Sequence, residues 1–78
     1  MRLDRPIKEK ELAALAKKLR KAAGTSKAAI ARELGVKPPT VFAAEERPEK
    51  SLTRLRIRII ERCSPYGVSG PFYFLRRK

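Results

Sequence analysis

Arginine alternates with apolar residues in the run LTRLRIRIIER at positions 52–62. On an extended strand, Arg54, Arg56 and Arg58 project from one face with their Cα atoms about 6.5–7 Å apart. That spacing is comparable to the spacing of phosphates along a nucleic-acid strand. Guanidinium groups form charge-assisted and often bidentate hydrogen bonds with phosphate oxygens. The pattern therefore predicts a row of phosphate-binding arginines.

The whole sequence shares this basic character, with 20 Lys and Arg against 8 Asp and Glu and a formal net charge of +12. Residues 51–78 contain a single acid, Glu61. The cations that extend the arginine row are Arg62, Arg76, Arg77 and Lys78. Such a charge attracts polyanions, so a phosphate-rich partner is predicted. Solubility, or adaptation to salt and heat, is the alternative explanation, and the absence of Asn and Gln is typical of a thermophilic source.

Several other functions lack the residues that they require. There is no His, and Cys63 is the single cysteine, so neither a metal site, an internal disulfide nor a nucleophile–base pair is expected. An enzyme, a cofactor and a small-molecule substrate are therefore not predicted. The start MRLDRPIKEK has no apolar signal segment, and no apolar run is long enough for a membrane span. We expect a cytoplasmic, nucleoid-associated protein.

The elements that must position the basic residues begin with a helix predicted over 6–23. Pro6 suits its first turn, Asp4 is an available cap, and Gly24 ends it. The residues recurring on its apolar face are Leu12, Leu15, Leu19 and Ala22. The lysines on its other side, Lys10, Lys17 and Lys21, are expected to face solvent.

A second helix is predicted from a Ser26 cap to Gly35, with Ile30, Ala31 and Leu34 facing inward. An apolar Val36 follows in the turn, and Pro39 suits the first position of a third helix whose Val41 and Ala44 face the core. With these features, the run TSKAAIARELGVKPPTV resembles the helix-turn-helix of winged-helix regulators and of Cro-type and phage-repressor-type proteins. The resemblance covers residues 25–46.

The resemblance implies that the third helix lies in the major groove of DNA and that the second crosses above it. Lys27 would then contact phosphate, and Lys37 and Thr40 would reach phosphate or a base edge. Phe42 would either touch a thymine methyl or pack beneath a hairpin. The positions that usually carry base-reading side chains are here Pro38, Pro39, Phe42 and Ala43. Glu45 and Glu46 follow, and phosphate would repel them.

Residues 52–62 fit two different structures. Leu52, Leu55 and Ile59 share a face in a helix, as in the fourth helix of phage-repressor domains. The strict Arg/apolar alternation and the isoleucines favour a strand instead. With 64–71 as a loop and 72–75 as a second strand, the predicted fold is α+β and winged-helix-like, in one domain over 1–78. Three helices precede a basic C-terminal β-hairpin at 53–77.

The sequence thus predicts a protein that binds double-stranded DNA mainly through phosphate contacts, as a chromatin-like or low-specificity regulatory protein. A homodimer would match the symmetry of the duplex. The arginine row also predicts that Arg56→Ala weakens the salt dependence of binding. Three alternatives remain: a sequence-specific repressor, an RNA-binding protein, and an antitoxin-like module whose segment PFYFL covers a protein partner.

Overall fold

The computed structural model describes residues 7–69 and 73–78. Its elements in chain order are α1 (Glu9–Ala22), α2 (Lys27–Leu34), α3 (Pro38–Glu46), α4 (Thr53–Cys63), β1 (Tyr66–Ser69) and β2 (Phe74–Arg77). The fold is α+β with a two-stranded antiparallel hairpin after the helices, which confirms the predicted class. No helix in the described ranges combines the length and apolarity needed to cross a membrane.

Helix α1 corresponds to the helix predicted over 6–23. Its N-cap is Lys8, whose backbone N–H donates to Oε1 of Glu11 at 3.0 Å. The proposed cap Asp4 and the first-turn Pro6 lie outside the described residues. At the other end, Gly24 follows the helix with a positive φ of 70°, in agreement with the prediction that it ends α1.

Helix α2 and the turn after it follow the predicted pattern. Oγ of Ser26 accepts from the backbone N–H of Ala29 at 3.1 Å, so Ser26 is the N-cap. Gly35 is in the left-handed region at φ 71°, a conformation that glycine adopts without the steric cost of a Cβ atom. The N–H of Val36 donates to the carbonyl of Ala31 at 2.9 Å and ties the turn to the helix.

Helix α3 begins one residue earlier than predicted, with Lys37 as N-cap and prolines in its first two positions. Val41 and Ala44 are buried, as their spacing predicted. They pack in one core cluster with apolar residues from α1, α2, α4 and β2. The residues of this cluster are Leu12, Ala16, Leu19, Ile30, Ala31, Val41, Ala44, Leu55, Ile59, Ile60 and Leu75.

The strand predicted within residues 52–62 is wrong, because Thr53–Cys63 forms helix α4. The inward positions of α4 are Leu55, Arg56, Ile59 and Ile60, which recur with helical spacing. Their burial in the core, mainly against α1, outweighs the β-propensity of the isoleucines. The basic hairpin assigned to 53–77 is therefore shorter and starts after α4.

The hairpin pairs β1 with β2, with Tyr66 opposite Arg77 and Val68 opposite Leu75. Strand β1 falls in the segment predicted as a loop over 64–71, so that prediction is wrong for 66–69. Strand β2 begins two residues later than the strand predicted over 72–75. Phe72 itself lies outside the described residues. Glu61 of α4 accepts from the backbone N–H of Val68 at 3.0 Å and holds β1 against the helix.

Candidate nucleic-acid interface

Arg56, the middle member of the predicted arginine row, is fully buried with 0% of its surface exposed. Its Nε donates to the carbonyl of Ala44 at 2.8 Å, and its Nη2 donates to the carbonyl of Arg47 at 2.8 Å. These carbonyls belong to the last turn and C-cap of α3. The assignment of Arg56 as a phosphate ligand is therefore wrong. In helix α4 this residue lies on the side that faces the core.

Arg54, Arg58 and Arg62 are exposed and succeed one another every four residues on α4, so they share one helical face. Nη2 of Arg58 donates to the carbonyl of Leu34 at the end of α2, at 3.1 Å. Nη2 of Arg62 lies 2.7 Å from Oε1 of Glu33, in an exposed ion pair. The structure thus replaces the predicted row by a different arginine stripe that lies beside the C-terminus of α2.

The predicted cations of the hairpin are also at the surface. Arg76 and Arg77 are exposed on β2, and the guanidinium carbon of Arg77 lies 5.7 Å from the ring centroid of Tyr66. Lys78 hydrogen-bonds through Nζ to the carbonyl of Glu61, which anchors the last residue to α4. These residues form a second exposed basic group.

Lys27, at the start of α2, is brought against Phe42 in the middle of α3. The Nζ of Lys27 lies 4.9 Å from the ring centroid of Phe42, within the range of a cation–π contact. Phe42 is 46% exposed and its ring contacts α2, which disfavours the alternative that it packs beneath the hairpin. Lys37 is exposed at the N-cap of α3, and Thr40 is half-buried one turn later.

The two acids at the end of α3 are both paired with cations of α1. Glu45 is buried and forms a two-bond ion pair with Arg20 of α1, with Nε to Oε2 at 2.5 Å and Nη2 to Oε1 at 3.0 Å. The hydrogen bond to Glu45 raises the pKa of Arg20 despite its burial. Arg20 also donates through Nη1 to the carbonyl of Thr25 at 2.7 Å. Glu45 therefore serves to join α3 to α1.

Glu46 is neutralised in a similar way, because its Oε2 lies 2.6 Å from Nζ of Lys17. This hydrogen bond to Lys17 holds the pKa of Glu46 below its ordinary value, and the charges of Lys27 and Lys21 lower it further. Lys17, expected to face solvent, instead bridges α1 and α3. Glu45 is thus buried in an ion pair, whereas Glu46 remains at the surface with its charge paired.

The N-terminus of α3 has fewer hydrogen-bond donors than an ordinary helix start. Pro38 and Pro39 occupy its first two positions and have no backbone N–H. The N–H of Thr40 donates to the carbonyl of Lys37 at 2.9 Å. Contacts to phosphate at this end must therefore come from side chains such as Lys37, rather than from free backbone amides.

Sequence reasoning missed the partners of the α3 acids, Arg20 and Lys17, and the contact between Lys27 and Phe42. The helical spacing of Leu12, Leu15 and Leu19 identifies the apolar face of α1, but the position of α3 beside it follows only from the tertiary fold. No protein-family model matches this sequence, and comparisons with curated proteins and with solved structures give no significant match.

Proposed function

We propose that α2 and α3 form a helix-turn-helix that binds double-stranded DNA, chiefly through contacts to the phosphate backbone. The observation that carries the proposal is that both acids of α3 are paired with cations of α1, the buried Glu45 with Arg20 and the exposed Glu46 with Lys17. Glu45 is thereby removed from the surface, and Glu46 stays at the surface with its charge paired. A negatively charged duplex approaching α3 meets no unpaired acid from this helix.

Lys27 and Lys37 mark the starts of the two helices, where a duplex lying along α3 would bring its phosphates. The exposed Arg54 and the hairpin residues Arg76 and Arg77 supply further positive charge. Most of these side chains carry no built-in sequence information, because phosphate contacts position a protein on DNA without reading its bases. We therefore propose a chromatin-like or low-specificity regulatory protein of the nucleoid.

The test is a binding titration on random-sequence duplexes by fluorescence anisotropy over a series of salt concentrations. If about five to eight phosphates are neutralised, log affinity should fall against log salt with a slope of about −4.5 to −7. Lys37→Ala should reduce the magnitude of that slope by about one unit on every sequence tested. Lys18→Ala is the matched control, because it removes the same charge from an exposed site on α1 and should leave the slope nearly unchanged.

Binding that is insensitive to salt, or an equal effect of Lys18→Ala and Lys37→Ala, would contradict the proposed interface. Selection from a random duplex pool separates a low-specificity protein from a sequence-specific repressor, which would return a single sharp motif. Competition between duplex DNA and structured RNA of equal length identifies an RNA partner if the RNA displaces the DNA at an equal or lower concentration.

A further inference from the structure

The outward face of α3 is apolar over its first turns. Pro38, Pro39 and Phe42 are exposed, and Ala43 beside them is half-buried. Pro39 precedes Phe42 and Ala43 by three and four residues, and Pro38 precedes Phe42 by four, so these residues lie on the side of the helix opposite the buried Ala44. None of these side chains can donate or accept a hydrogen bond. The exposed Glu46 follows Phe42 by one turn, and its carboxylate is paired with Lys17. The first turns of this face therefore have no side chain that reads the hydrogen-bonding groups of bases.

The proline side chains of this face are rigid, and Phe42 has a contact on one side of its ring. Phe42 lies against the ammonium group of Lys27 at 4.9 Å, and proline rings have almost no rotational freedom. Ordering such side chains on binding costs little conformational entropy. A rigid apolar surface between two exposed or half-exposed lysines, Lys27 and Lys37, is complementary to a site that is apolar at its centre and anionic at its edges.

The major groove of a duplex offers such a site where pyrimidines carry a 5-methyl group. This methyl group is the apolar feature that distinguishes base pairs in the major groove, while the other groups there are hydrogen-bond donors and acceptors. Covering those polar groups with Phe42 or proline would remove their water without replacing its hydrogen bonds, which is unfavourable. A methyl group gains from the same burial.

We propose that α3 favours duplexes with pyrimidine 5-methyl groups in the major groove, with Phe42 as the specificity-determining residue. The inference rests on the proposed function, since it assumes that α3 faces the groove. The preference applies to thymine over uracil and to 5-methylcytosine over cytosine, because each pair differs by this one group.

The experiment compares binding to two pairs of duplexes, each pair identical in sequence. In the first, every thymine is replaced by uracil; in the second, every cytosine is replaced by 5-methylcytosine. For each methyl group that Phe42 contacts, the methylated duplex should bind about fourfold more tightly, which corresponds to about 0.8 kcal/mol. Phe42→Ala should bring both ratios close to one, and Phe42→Leu should retain most of the preference.

Lys37→Ala is the control, because it should weaken binding to both members of a pair equally and leave the ratios unchanged. Thermal denaturation checks that each variant is folded. Because Phe42 is exposed, its substitution should leave the fold intact. Salt-dependent binding with both ratios equal to one in the unmodified protein overturns this inference and leaves the proposed function intact. A ratio that survives Phe42→Ala overturns the role of Phe42. Failure to bind any of the four duplexes at low salt overturns the proposed function as well.

Discussion

Replacing Arg56 by Ala is expected to destabilise the fold, whereas replacing the exposed Arg54 should not. Arg56 donates two hydrogen bonds, both 2.8 Å long, to the carbonyls of Ala44 and Arg47. A hydrogen bond from an ionised donor contributes about 1.5–3 kcal/mol, so the loss of two amounts to about 3–6 kcal/mol. The substitution removes the support that α4 gives to the C-terminal end of α3.

An opposing effect reduces this loss. Arg56 is fully buried, and its Nη1 has no hydrogen-bond partner among the described residues. Burial of the charge carries a desolvation cost that Ala relieves, so we expect a net destabilisation of about 2–4 kcal/mol. A domain of this size has a total stability of about 4–12 kcal/mol, which makes such a loss large but measurable.

Urea denaturation followed by circular dichroism measures the free energy of unfolding for both variants. Arg54→Ala removes the same charge from the same helix at an exposed site and should change stability by no more than about 0.5 kcal/mol. Equal stabilities for the two variants would refute the burial of Arg56. Arg56→Ala is no longer expected to weaken the salt dependence of DNA binding. A buried guanidinium contacts no phosphate and releases no counterions, so the slope should stay unchanged.

Three further substitutions test the packing and the ion pairs. Ala31→Leu should lower the stability measured by urea denaturation by about 1–3 kcal/mol, because Ala31 is buried in the core cluster. Gly35→Val should cost about 1–3 kcal/mol through backbone strain alone, since a Cβ atom there meets nothing within 4 Å but φ is 71°; an unchanged melting temperature in either variant would contradict the α2–α3 turn. Lys17→Ala should lower the melting temperature at neutral pH, and its difference from the unmodified protein should shrink as the pH falls through the lowered pKa of Glu46. A difference that grows toward acid pH would contradict this pair, since a depressed carboxyl pKa contributes stability only while the carboxylate is ionised.

The sequence was sufficient to predict the α2–α3 unit because its signals are local. Ser26 caps its own helix, and the left-handed Gly35 ends it within nine residues. A hairpin after the helices was also predicted, but its first strand was placed within 52–62, which forms α4, and β1 lies in the segment predicted as a loop. The positions of the two strands could not be predicted from the sequence, because pairing between β1 and β2 depends on register and on packing against α4.

Helix α4 shows why the error over 52–62 arose. A sequence in which Arg and apolar residues alternate satisfies a strand, but Leu55, Ile59 and Ile60 also satisfy a helix of period 3.6. The helix requires that Arg56 be buried, and arginine is rarely fully buried in proteins. The carbonyls at the end of α3 satisfy two of its donors, and they become available only in the folded chain.

Three ion pairs within the fold engage acids and cations that the net charge counts as separate groups. Glu45 and Glu46 join α3 to α1, and Glu33 pairs with Arg62 of α4. The first pair buries its acid, whereas Glu46 stays at the surface beside Lys17. The third is exposed, so water and salt screen it and a phosphate can compete for Arg62. Net charge alone would not have identified the cations that these pairs occupy, which are Arg20, Lys17 and Arg62.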